Sequence, residues 1–334
     1  MITKIIASDY NRHQVILLTA VSLIYPAACS DNQVPDPIDT SAAVDAAVTD
    51  VPVPDASTPV PIMLSCSGPY GPSSIVDEYK FDEVEAAGFD LDGDGDPDNA
   101  LFLAAEEITS LFDADIKSGE FRLLLELHMP PGCDLVNCPS LTMAGYNCVD
   151  SDVPPNITDD FSGGEAYYFE RTDVNPTDCS PVTILPGQIV DGQFTGETDI
   201  LHIPLASLVT FPLLHARFEA TIAPVGTNFA ITSSRLGGIL TPCLLNETPS
   251  PLGQTLLWTI VELFELQPDI DLDGDGIERI NTGLFGVQNC TDGDGEAVDE
   301  DMCGCDPRIV DGFSVNILLT SVGAKLLGPA PSTL

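Results

Sequence analysis

Phe121-Arg122-Leu123-Leu124-Leu125-Glu126-Leu127-His128 places an apolar residue at every odd position, and Arg217-Phe218-Glu219-Ala220-Thr221-Ile222 places one at every even position. Successive side chains of a strand point to opposite faces, so a period of two marks a strand with one face buried. Ile200–Leu205, Phe229–Ser233 and Phe313–Val322 are further strand candidates, separated by turns rich in Gly, Pro and Asn. Many short strands with such turns predict a mainly β fold, an antiparallel β-sandwich. Two stretches switch to helical spacing. Pro97–Phe112 repeats apolar residues at Leu101, Ala104, Ala105, Ile108, Leu111 and Phe112, with Pro97 near its start and Asp96 as its cap. Gln254–Leu266 sets Leu257, Ile260, Val261 and Phe264 on one side. The expectation is a sandwich carrying a few short helices at its edges.

The surface chemistry is lopsided. Of 334 residues, 52 are acidic and 11 basic, a net charge of −41, yet 44% are hydrophobic and the mean hydropathy is +0.17. Such a chain packs a core beneath an acidic surface. Its field repels nucleic acid and anionic lipid headgroups and attracts divalent cations and cationic partners.

Lys4 and Arg12 precede an uncharged apolar run, Val15–Ala28. Its 14 residues are too few for a transmembrane helix, which needs about 20, and the pattern is that of an export signal over residues 1–28. The run ends Pro26-Ala27-Ala28-Cys29, which resembles the lipobox of bacterial lipoproteins, with Pro26 where that family carries an aliphatic residue. The resemblance implies cleavage before Cys29, lipidation of Cys29 and attachment to outer-membrane lipid. Cleavage by ordinary signal peptidase and secretion is the alternative. Residues 29–61 are rich in Pro, Ala, Asp, Val and Thr and lack aromatics, as in Val51-Pro52-Val53-Pro54-Asp55. They form a disordered acidic linker. The folded body then spans 62–334, or two halves of about 62–185 and 186–334. Nine further cysteines fit disulfides in an oxidising compartment. Local pairing within Cys133–Cys179 and within Cys290–Cys305 is expected, and the odd count either argues against lipidation of Cys29 or implies a free buried thiol.

Asp-Leu-Asp-Gly-Asp-Gly occurs at Asp90–Gly95 and again at Asp271–Gly276, and Asp-Gly-Asp-Gly spans Asp292–Gly295. Alternate carboxylates closing on glycine wrap side-chain oxygens around a hard cation, and the cation expected is Ca2+. The loops resemble those of EF-hands, dockerins and thrombospondin type 3 repeats over roughly a dozen residues each. By that resemblance Asp90, Asp92 and Asp94 take the first, third and fifth ligand places, Gly95 the turn, Asp96 the carbonyl place and Asp98 the ninth. The twelfth place holds Leu101, so Asp82, Glu83, Glu106 or water completes the site. Asp271, Asp273 and Asp275 form the second set, with Asp269 or Glu278 as substitutes. Asp292 and Asp294 belong to a third.

No Gly-x-Ser-x-Gly, His-Glu-x-x-His or phosphate-cradling loop is present, and no catalytic residue is assigned. His128, His202 and His215 are read as structural. The sequence thus predicts an exported calcium-binding lipoprotein acting as a structural, adhesion or ligand-binding module. Its partners would be outer-membrane lipid through Cys29 and an extracellular protein or glycan, with no nucleic acid. The alternative is a secreted calcium-stabilised hydrolase.

Overall fold

A computed structural model describes residues 66, 68–119, 121–152, 155, 160–205, 209–247, 255–272, 282–283, 286–287 and 311–331. The signal, the linker, Cys29, Asp273, Asp275, Asp292, Asp294, Cys290, Cys303 and Cys305 lie outside the described residues.

The chain is mainly β. Its strands are β1 (Ser73–Phe81), β2 (Leu123–His128), β3 (Cys138–Asp150), β4 (Ala166–Phe169), β5 (Thr183–Val190), β6 (Gln193–Leu205), β7 (Val209–Val225), β8 (Asn228–Leu240), β9 (Ile270–Asp271), β10 (Thr282–Gly283), β11 (Gly286–Val287) and β12 (Asp311–Pro329). Arg217–Ile222, Ile200–Leu205, Phe229–Ser233 and Phe313–Val322 fall inside β7, β6, β8 and β12, and Phe121–His128 overlaps β2, which begins two residues later at Leu123.

The sandwich expectation is corrected. Antiparallel pairing runs β1-β2-β3-β5-β6-β7-β8-β12, and β12 pairs back onto β1. A sandwich keeps two sheets with free edges, whereas this ring closes into an antiparallel barrel and leaves no edge among its members. Neighbours in the ring are sequential except at β3–β5, β8–β12 and the closing β12–β1 pair. The β5–β6 turn shows why local chemistry suffices there: Asp191 and Gly192 both have positive φ, 52° and 76°, as a two-residue Asp-Gly hairpin requires. Bulges at Val76/Glu78 in β1, Leu214/Arg217 in β7 and Ile317/Ser321 in β12 bend the wall.

The barrel interior is apolar. Leu123, Leu125 and Leu127 of β2 meet Met143, Phe194, Phe218, Phe229, Ile231, Phe313 and Ile317 there, all buried. What remains empty is about 50 Å³, far below the roughly 300–1,000 Å³ of a small-molecule site. Among the described residues the interior is a packed core.

Ala100–Ala104 forms a 3-10 turn that runs into α1 (Ala105–Ser118). This helix starts later than the predicted Pro97 and is not capped by Asp96. Instead, the Asn99 amide donates to the carbonyls of Asp82 (2.9 Å) and Val84 (3.1 Å), tying the helix entrance to the preceding loop. Ile116 packs beside Phe121, whose ring meets Tyr79 of β1 edge-on at 6.1 Å. Within the second predicted helix, Gln254–Leu266, the chain forms only a short α3 (Leu256–Trp258) followed by a π turn over Thr259–Leu263, and a separate helix not predicted, α2 (Pro242–Glu247), precedes it.

A second, smaller core lies on the opposite face of β2 and β3. Leu124, Ala144, Tyr146, Tyr167 and Phe169 cluster there under β4, which pairs antiparallel with β3 and parallel with β12. Tyr167 and Phe169 are buried in this core, so the densest aromatic run of the sequence presents no exposed platform. Arg122 donates to Asp160 from two guanidinium nitrogens (2.9 and 2.7 Å), a pair almost wholly removed from water.

The described cysteines pair only in part as expected. Cys133–Cys138 is local, but Cys179 bonds Cys66 across 113 residues, and Cys148 is the free buried thiol among the described residues. Topology decides this: Gly71 and Pro72 hydrogen-bond to Glu126 and Leu127 of β2, and Cys66 just before them meets the connection after β4.

Candidate functional site

The first acidic loop is seated against the barrel wall by backbone and arginine. The Asp98 N–H donates to the Phe89 carbonyl at 2.8 Å, closing a short antiparallel bridge around Asp90–Pro97. Arg235 of β8 lies over the Phe89 ring, 4.1 Å from its centre, and donates to the carbonyls of Ala87 (3.1 Å) and Gly88 (3.2 Å). Its other terminal nitrogen donates to Glu219 at 2.9 Å. Arg217 of β7 donates to the Asp90 carbonyl at 2.9 Å. Two of the few cations of this acidic chain thus hold the loop from below.

Within the loop, carboxylates order the backbone. Asp90 accepts from Gly93 N–H (2.7 Å), Asp92 from Asp94 N–H (3.0 Å), Asp94 from Asp96 N–H (2.7 Å) and Asp98 from Leu91 N–H (2.6 Å). Gly93 and Gly95 take φ of 86° and 101°, which L side chains resist. Asp90, Asp92 and Asp98 come together, each offering an oxygen within 4.8 Å of the others. This set could hold a metal ion, and hard carboxylate oxygens suit Ca2+ or Mg2+ over softer metals.

Among the predicted ligands, Asp90, Asp92 and Asp98 are therefore brought together. Asp94 and Asp96 are exposed at the loop tip. Asp271 sits in β9, opposite Asp311 of β12. Asp82, a predicted completing ligand, is engaged elsewhere, accepting from Val84 N–H (3.0 Å) and the Asn316 amide (3.0 Å).

Asp269, two residues before the second hexapeptide, is not among the three clustered carboxylates, but its charge acts on Asp98. It accepts from Ser314 N–H at 2.8 Å and from the Ser314 hydroxyl, which in turn accepts from Ala100 N–H at 2.7 Å. Burial raises the pKa of Asp98 to about 6, and the charges of Asp92 and Asp269 push the same way against the Leu91 hydrogen bond. Burial also raises Asp269, with Asp92 adding to it. Nothing in the local pattern around Asp90–Gly95 signals Asp269, because β12 delivers it through Ser314.

A second polar constellation lies on the outer face of β2. Glu126 is 2% exposed, and three donors converge on it: Gly71 N–H (2.6 Å), the Tyr146 hydroxyl (2.8 Å) and His128 Nε2 (3.0 Å). Burial alone would raise its pKa, but the His128 hydrogen bond and charge, with the Gly71 and Tyr146 donors, hold it below the usual carboxylate range. The hydrogen bond to Glu126 raises His128 in turn. The Glu126 contribution to stability is present above about pH 4.5 and lost as pH falls through its lowered value. That of His128 is present below about pH 6.5 and lost as pH rises through its raised value. The melting temperature of His128→Gln should therefore trail the parent most near pH 5–6 and converge with it in alkali. A gap that widens with pH would contradict this sign.

Comparison with family models, with curated proteins and with solved structures finds no match to this chain.

Proposed function

We propose that this chain is an exported calcium-binding β protein, lipid-anchored through Cys29, that serves as a structural, adhesion or ligand-binding module. The observation that carries the reading is the convergence of Asp90, Asp92 and Asp98 on one loop. Three carboxylates this close repel one another, and a divalent cation converts that repulsion into a reason for the loop to hold its shape. Calcium tolerates the irregular oxygen shell such a loop provides, whereas magnesium demands near-ideal octahedral geometry. With no carboxylate at the twelfth place, affinity falls in the range of extracellular modules, on the order of 10⁻⁴–10⁻³ M. Such a site stays loaded outside the cell and stiffens the loop.

The test is thermal unfolding of the full chain in chelator, in 10 mM calcium and in 10 mM magnesium. Calcium adds about 1.5–3 kcal/mol at that concentration, a rise of several degrees, and magnesium adds less. Asp92→Asn, an exposed change, removes most of the rise. The increment shrinks between pH 7.5 and pH 5, because protons compete for Asp98 around its pKa of about 6. In chelator the sign reverses: a carboxylate raised by folding makes the metal-free protein more stable as pH falls through that window. Equal melting temperatures in chelator and calcium at pH 7.5 would end the reading.

A further inference from the structure

A cleft of about 760 Å³ opens between Gly68–Gly71 and the outer face of β2–β3, walled at one end by the Cys66–Cys179 disulfide. Glu126 lies buried beneath it and His128 stands at its lip, with the side chain 42% exposed. Thr142 is the register partner of His128 across β2–β3, and Ser140 follows two residues along the same strand. Both hydroxyls line the cleft, as do Tyr70 and Met129.

From this geometry we infer that the cleft is a carbohydrate-binding site, in which His128, Thr142 and Ser140 read the hydroxyls of a neutral sugar ring. The inference deepens the binding-module reading and does not require the metal loop.

The imidazole is positioned before any ligand arrives. A buried ionised carboxylate costs several kcal/mol unless hydrogen bonds satisfy it, and Glu126 has three. Gly71 and Tyr146 anchor it to the fold, so its bond to His128 Nε2 fixes the ring's tautomer and orientation. Among the described residues no partner engages Nδ1 or the Ser140 and Thr142 hydroxyls. Above the raised pKa of His128 they form a row of neutral acceptors and donors along two adjacent strands. Tyr70, half-buried, is held by its hydroxyl donating to the Cys66 carbonyl at 2.6 Å, which leaves its ring as the wall.

The lining selects the ligand class by what it leaves unmet. An anion would face Glu126 behind His128 within a chain of charge −41. A cation finds no free carboxylate, since both Glu126 oxygens are occupied. A purely apolar guest would bury the two hydroxyls and Nδ1 without partners. A ring that is apolar on its faces and carries hydroxyls around its edge satisfies all of them. The cleft contains one carboxylate, and glycoside hydrolysis by the usual mechanism needs two. Binding without turnover is therefore expected.

The full chain, oxidised and at about pH 8.5, would be screened on an array of neutral glycans, and its best ligand titrated by calorimetry. His128→Ala and Thr142→Val should each weaken that ligand about tenfold, the loss of one good hydrogen bond to it. Melting temperatures measured alongside establish that both variants remain folded, and repetition in chelator separates this site from the metal loop. Binding that persists in chelator and falls in both variants supports the assignment even if calcium proves irrelevant. Failure to bind any neutral glycan, or binding indifferent to both substitutions, overturns it.

Discussion

Replacing Cys66 and Cys179 together by serine lowers the free energy of unfolding by about 4–5 kcal/mol, whereas replacing Cys133 and Cys138 lowers it by about 2 kcal/mol. The difference follows from chain entropy. The first bridge joins residues 113 apart and the second residues 5 apart, so the first removes far more freedom from the unfolded chain. The long bridge also closes Gly68–Pro72 over the smaller core, where Gly71 N–H reaches Glu126 and Leu127 N–H reaches the Pro72 carbonyl at 2.9 Å. Without it, that segment is held by these hydrogen bonds and by the Tyr70 ring packed edge-on against Phe169 at 6.2 Å, so amides around Gly71 and Leu127 should exchange faster as well. Urea unfolding of the oxidised parent and the two double variants ranks them. A larger loss from the local bridge than from the long one would contradict this account.

The strands were legible because alternation is a local property. Leu123, Leu125 and Leu127 face inward, and no tertiary information is needed to predict that they share a face. Closure was not legible. A sandwich and a barrel require the same alternation, and they differ here in whether β12 reaches β1 and β3 reaches β5. The closing pair joins residues far apart in the chain, such as Ser73 with Ala324, and β3 passes over β4 to reach β5, which no composition rule encodes. The helix start was misread for a related reason. Asp96 and Pro97 look like a cap and a first turn, but Asp98 is drawn into the bridge with Phe89, and the helical turn begins only at Ala100.

The acidic loop was half legible. Alternating aspartates identified Asp90 and Asp92, and the ninth place identified Asp98, all three of which converge. Asp94 is exposed at the tip and stands apart from the three that converge, and its carboxylate accepts from the Asp96 N–H. Asp269, Arg217 and Arg235 arrive from strands and connections distant in sequence, so only the fold could place them. The long disulfide belongs to the same category: spacing favours near neighbours, and topology supplied a far one.

Gly88→Ala should abolish the calcium response and cost about 3 kcal/mol, the upper range for forcing a group into filled space. Gly88 has φ −68° and ψ −173°, a conformation alanine adopts freely, so backbone freedom does not explain the glycine. Contact does. A Cβ there would lie 1.7 Å from the Asp98 carbonyl oxygen and 2.6 Å from its carbon. Both are backbone atoms of the residue that bridges to Phe89, so relief requires moving Asp98 away and breaking the 2.8 Å bond from its N–H. That displacement withdraws one of the three clustered carboxylates. It also disturbs the Gly88 carbonyl that Arg235 holds. Gly93→Ala supplies the contrast. A Cβ at Gly93 meets nothing within 4 Å, but φ of 86° strains any L side chain, at a cost of about 1–2 kcal/mol. The Gly93 change should thus destabilise modestly and leave Asp90, Asp92 and Asp98 able to take calcium more weakly, while the Gly88 change should eliminate uptake. Melting curves with and without calcium for both variants decide it. A Gly88→Ala protein that still gains several degrees from calcium would show that the loop does not depend on this seat.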